Sequence, residues 1–148
     1  MSGATLDAAT RRAIGWDVSQ RVLGFFLDFD NSRYDRMAQA FTPDGVWDRS
    51  GLQLRGREAI VAEMSRRPAS AEVRHVITNL IVTAQDAGHA QVSFYNTSFR
   101  YDDGTRPVKA PRIKTPFLVV LGEGRLVLSG EDWLFEHQSA KRLFEFES

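Results

Sequence analysis

The chain has 148 residues, 43% of them hydrophobic and 11% aromatic, which suits one globular domain burying about 70% of its unfolded surface. Nineteen basic residues balance nineteen acidic ones and no basic run exceeds Arg66-Arg67, so neither nucleic acid nor a membrane surface is an expected partner. The absence of cysteine excludes disulfides, thiolate zinc sites, iron–sulfur clusters and cysteine nucleophiles.

The opening "MSGATLDAATRR" lacks the hydrophobic centre of a signal peptide, and no apolar run reaches the ~18 residues of a membrane span. A cytoplasmic location is expected. From about Asp7 to Phe29 the residues Ile14, Val18, Val22, Phe25, Phe26 and Phe29 recur at steps of three and four, the mark of a helix with one buried face. Gly15 and Gly24 lie inside it, weak helix positions unless another element packs closely there. "SRYDRMAQAF" sets Asp35 three residues after Ser32, a capping-box-like start for a second helix. Pro43-Asp44-Gly45 is expected to end that helix. A short strand pair follows around Ser50-Gly51, and "GREAIVAEMSRR" reads as a third helix stopped before Pro68.

Beyond residue 72 the pattern turns to strands over 73–84, 89–101, 112–121 and 125–138. Turns are expected at Asp86-Ala87-Gly88, Asp102-Asp103-Gly104 and Gly122-Glu123-Gly124. This predicts an antiparallel meander, with a bulge or an edge position at Pro116. Helices followed by consecutive strands make the chain α+β, one domain over residues 1–148 with its ordered core at about 8–140.

Two residues carry the chemistry. Asp30 falls one helical turn beyond Phe26 and two beyond Val22, on the buried face, whereas Asp28 points away toward solvent. Position alone leaves Asp30 two duties: capping the helix that begins near Ser32, or facing the interior. His75 shares a strand face with Val73, Ile77, Asn79 and Ile81. Alone it reads as a hydrogen-bonded core residue or as a catalyst. Paired with a buried carboxylate through Nδ1–H, it presents Nε2 to whatever fills the interior, which is the arrangement of a general base.

Tyr34, Trp47, Phe94, Tyr95, Asn96 and Trp133 are candidate pocket residues that also suit a core. His89 and His137 are expected at the surface, and without HxH or HExxH spacing no metal site is expected. Asn96-Thr97-Ser98 forms a glycosylation sequon, meaningful only in a secreted protein. No Walker loop, dinucleotide glycine fingerprint or G-x-S-x-G elbow is present.

The stretches "DFDNSRYDRMAQAFTPDGVWD", "LRGREAIVAEM" and "RHVITNLIVTAQDAGHAQVSFYN", in that order, resemble the SnoaL-like branch of the nuclear-transport-factor-2-like superfamily over about residues 10–138. The resemblance implies a cone-shaped barrel, a strongly curved and mainly antiparallel sheet covered by three N-terminal helices around a pocket. In that superfamily, scytalone dehydratase and hexachlorocyclohexane dehydrochlorinase use an aspartate ending the first helix with a histidine opening a long strand, and Asp30 and His75 match those positions. The dehydratase's second pocket histidine falls near Ser98 and the dehydrochlorinase's lysine at Phe25. Both leaving-group helpers are absent from the chain.

The expectation is an enzyme needing no cofactor, of the lyase, dehydratase, isomerase or cyclase type, acting on a small hydrophobic cyclic or aromatic molecule. Asp30 and His75 are its expected catalytic pair. Tyr34, Trp47, Asn79, Phe94, Asn96 and Ser98 are its expected substrate-binding residues. The alternative is a non-catalytic ligand-binding or assembly domain, because one fold hosts many functions. A homodimer is expected, since "TPFLVVL" and "RLVLSGEDWLF" look apolar on both faces.

Overall fold

Helix α1 runs Ala8–Asp30 and begins at Asp7, whose carboxylate accepts the Thr10 backbone N–H at 2.7 Å. Its buried residues are Ile14, Val18, Val22, Phe25, Phe26 and Phe29, the stripe read from the sequence. These coordinates belong to a computed structural model that describes residues 5–147, so the first four residues of the opening stretch lie outside it.

Asn31 ends α1 by closing on the Leu27 carbonyl through its backbone N–H at 3.1 Å and its side-chain amide at 2.9 Å. Ser32 then takes the left-handed conformation with φ 57°, and α2 (Tyr34–Gln39) starts from Arg33 without a side-chain cap. The capping box expected at Ser32 and Asp35 therefore does not form: Ser32 is spent on the turn.

Pro43-Asp44-Gly45 does not end α2 but lies within β1 (Phe41–Arg49), where the register against its neighbour shifts between Phe41 and Val46. Proline fits a ladder interruption because it has no N–H to give. Gly45 is there for closeness: a Cβ at that position would meet the Phe135 carbonyl oxygen at 2.8 Å. Ser50 (φ 54°) and Gly51 (φ 101°) make a two-residue turn into β2 (Leu52–Arg55), with positive φ at both positions as a type I′ hairpin requires. Helix α3 occupies Arg57–Ser65.

Strands β3 (Glu72–Asp86), β4 (His89–Tyr101), β5 (Leu118–Ser129) and β6 (Asp132–Glu145) form the expected antiparallel meander. Strand β1 adds to β6 in parallel, giving a six-stranded mixed sheet in the order β2-β1-β6-β5-β4-β3. Two boundaries differ from the sequence reading. Residues 102–117 carry no strand, so Pro116 precedes β5 and makes no bulge. Gly122-Glu123-Gly124 is mid-strand, and the β5–β6 turn falls at Gly130 (φ 62°), which carries β6 past residue 140. These two glycines make room for rings: an added Cβ would stand 2.2 Å from the Phe94 ring at Gly122 and 2.9 Å from the Phe135 ring at Gly124.

The sheet curls around α1. Phe25 of α1 packs edge-on against Trp47 at 5.3 Å and Phe135 at 5.8 Å between centroids, while the adjacent Phe26 meets Phe94 at 5.5 Å. One helix about 10 Å across thus reaches β3 and β4 on one side and β1 and β6 on the other, which a flat sheet would not allow. The architecture is α+β, as expected, and among the described residues no helix is long and apolar enough to cross a membrane.

Candidate active site

Asp30 and His75 meet. The Asp30 Oδ1 to His75 Nδ1 distance is 2.6 Å, and the other carboxylate oxygen accepts the His75 backbone N–H at 3.2 Å. Only 10% of the Asp30 side chain and 8% of the His75 side chain are exposed, so water competes little for the contact. A carboxylate accepts only, so Nδ1 is the donor, and the neutral ring in this tautomer has its lone pair on Nε2. Phe29 at 4.3 Å and Phe26 at 5.3 Å hold the imidazole from the α1 side. Asp28 leaves the pair, but it is not the solvent-facing residue expected: its side chain is only 14% exposed, covered by Arg33 and Arg36 at 3.4 and 3.6 Å.

His75 lines a cavity of about 600 Å³ between the helices and the concave face of the sheet, whereas Asp30 stands behind it. Phe26, Phe29, Trp47 and Phe94 supply apolar wall, and Ser98 faces His75 directly across the β3–β4 ladder. Asn96 lines the cavity one inward position along β4. Its Oδ1 and the Nε2 of Gln138, on the β6 side, are buried with no hydrogen-bond partner. Among the described residues no group of three or more His, Asp or Glu side chains is placed to hold a metal ion.

Five arginines also line the cavity. Arg66 pairs with Glu63 at 3.3 Å and Arg142 with Glu145 at 2.7 Å. Arg49, Arg67 and Arg100 have no ion-pair partner among the described residues. The Arg49 guanidinium lies 4.8 Å over Trp47 and that of Arg67 lies 4.7 Å over Phe29. Burial, with the charge of Arg67 next, holds Arg49 below the usual arginine range. Arg67 is lowered too, by burial foremost and by Arg100, against the opposing pull of Tyr34 and Asp30.

The sequence matches the profile described as "SnoaL-like domain" over residues 10–137. The chain belongs to the SnoaL-like family. No curated protein matches it significantly. Solved structures share the fold. ActVI-ORFA from Streptomyces coelicolor aligns with a TM-score of 0.69 at 19% identity, over 85% of this chain and 97% of that one. A Catenulispora acidiphila protein solved in complex with S-DNPA aligns at 0.72 and 23% identity, over 89% and 95% of the two chains. An NTF2-like protein with a cystatin-like fold from Novosphingobium aromaticivorans aligns at 0.71 and 15%, over 86% and 80%.

Two residues expected in the pocket of this SnoaL-like domain lie elsewhere. Asn79 adopts φ 52° at a register shift between Thr78 and Ile81, and this bulge turns it out to solvent while Leu80, Val82 and Ala84 take over the inward positions. Tyr34 is partly buried against the core, near Arg67 and off the cavity lining. Trp133, the other ring offered for the pocket, is buried in the core, and Tyr95 is exposed. His89 is exposed at the start of β4 and contacts Asp86 at 2.9 Å, while His137 is half-buried rather than exposed. Arg49, Arg67 and Gln138 were not anticipated. A signal for Arg49 was present in Trp47-Asp48-Arg49, since strand alternation puts Arg49 on the face of Trp47. For Gln138 it was hidden by the misplaced β5–β6 turn, and for Arg67, which follows α3, there was none.

Proposed function

We propose that the protein is a small-molecule enzyme of the lyase, isomerase or cyclase type that removes a carbon-bound proton from a hydrophobic cyclic or aromatic substrate without a cofactor. The buried Asp30–His75 contact with His75 on the cavity wall carries this reading. His75 Nε2 takes the proton, and the electron pair of the broken C–H bond moves into an adjacent carbonyl or ring system. Asp30 holds the Nδ1–H tautomer and stabilises the imidazolium that forms. Imidazolium then returns the proton, to another carbon in an isomerisation or to a departing oxygen in an elimination. The cavity volume is that of a site for one molecule of a few fused rings, and its apolar wall suits such a substrate. We further propose a homodimer built on the outer face of the sheet.

The test is hydrogen–deuterium exchange at carbon. A panel of cyclic ketones and aromatic-ring compounds with acidic C–H bonds is incubated in deuterated buffer with the protein, and label uptake is followed by mass spectrometry. Protein-dependent uptake that vanishes in His75→Gln is expected. Binding of panel members without any protein-dependent uptake would favour the non-catalytic ligand-binding alternative.

A further inference from the structure

The cavity has more positive charge than its own acids neutralise. Of its five arginines, Arg66 and Arg142 are engaged by Glu63 and Glu145, and Arg49 and Arg67 are half-buried without an ion-pair partner among the described residues. Asp30 lies near Arg67, but its two oxygens are taken by the ring and the backbone of His75. Partly burying two guanidiniums that repel each other is costly unless an anion comes to them. Their guanidinium carbons stand 4.8 Å over Trp47 and 4.7 Å over Phe29, and a guanidinium held beside a ring keeps N–H groups free for the two-bond grip of a planar carboxylate. A second feature also expects a ligand: the unpartnered amide atoms of Asn96 and Gln138, residues only 8% and 2% exposed, on the wall of the same cavity. An apolar occupant would leave them unsatisfied.

We infer that the substrate is a cyclic or aromatic carboxylic acid, bound as its anion with the carboxylate between Arg49 and Arg67, its ring against the aromatic wall and its acidic carbon toward His75. The placement at His75 rests on the general-base reading; the preference for a carboxylate does not. Arg49 and Arg67 are specificity-determining residues in this assignment, and substrates lacking the charge are discriminated against by the cost of leaving two partly buried cations together with no carboxylate paired to either, Glu63 and Asp30 acting on them only from a distance.

The experiment is calorimetric titration with matched probes: benzoate, 2-naphthoate and anthracene-2-carboxylate, each against its neutral carboxamide. At least one carboxylate is expected to bind about tenfold or more tightly than its amide. The ratio is expected to fall toward one in Arg49→Met and in Arg67→Met, and to recover in part in Arg49→Lys. Should a Met variant fail to fold by circular dichroism, raising salt from about 50 to about 500 mM on the intact protein is expected to erode the carboxylate preference. Amides that bind as well as the acids, a preference untouched by both the arginine substitutions and salt, or no carboxylate binding at millimolar concentration across the panel overturns the assignment. Carboxylate-selective binding that persists in His75→Gln, without isotope exchange in the unaltered protein, retires the general base alone and leaves the anion site standing.

Discussion

Asp30 closes α1 at the end where a carboxylate is least favoured, because the unpaired carbonyls of a helix C-terminus carry partial negative charge and no basic residue stands in that last turn. Nor does it cap α2, which starts from Arg33 with no side-chain cap. Its two contacts, to the ring and the backbone N–H of His75, are what offset that position. A double-mutant cycle separates a catalytic pair from a structural one. Asp30→Asn keeps the shape but removes the charge that supports an imidazolium, so isotope exchange is expected to fall about 100-fold or more. His75→Gln is expected to lose as much, and the double variant little more, because groups acting as one unit are strongly non-additive. A structural pair would instead show near-normal exchange in Asp30→Asn and a loss of about 1–3 kcal/mol in denaturant stability from the unsatisfied buried partner.

At the scale of elements, the glycines divide into two kinds. Gly15 and Gly24 sit inside α1 with nothing within 4 Å of an added Cβ, so neither answers a packing demand. Gly15→Ala and Gly24→Ala are each expected to add about 0.5–1 kcal/mol, or a rise of about 2–4 °C in melting temperature per kcal/mol. Gly122→Ala acts in the opposite sense, since its Cβ would stand 2.2 Å from the Phe94 ring; a loss of about 1–3 kcal/mol is expected in urea unfolding. The same division explains what the sequence made legible. The spacing of Val22, Phe25, Phe26 and Phe29 is a local property of one helix, so α1 and the inward aim of Asp30 could be read directly. Gly122 and Gly124 resembled a turn because their partners, Phe94 and Phe135, lie in other strands and become neighbours only in the folded sheet. Asn79 was lost for a related reason: strict alternation has no place for a bulge, and one extra residue reverses every side chain after it.

At the scale of the whole molecule, the sheet has a second face to account for. Val76, Thr97, Val119 and Phe144 stand side by side across β3, β4, β5 and β6, on the side away from the cavity. In the next row Tyr95 neighbours Leu121. Phe144 is 63% exposed, Val76 46% and Tyr95 43%, so the apolar surface is contiguous rather than scattered, the kind that marks an association surface. A second copy is the simplest occupant, because one patch facing itself across a two-fold axis buries both at once. Light scattering at micromolar concentration is expected to give the mass of a dimer. Phe144→Asp with Tyr95→Asp is expected to shift the protein toward monomer while carboxylate binding in the cavity persists, since neither residue lines it. A monomeric wild-type protein would count against the interface, and loss of binding on dissociation would mean that the second copy helps shape the cavity from outside.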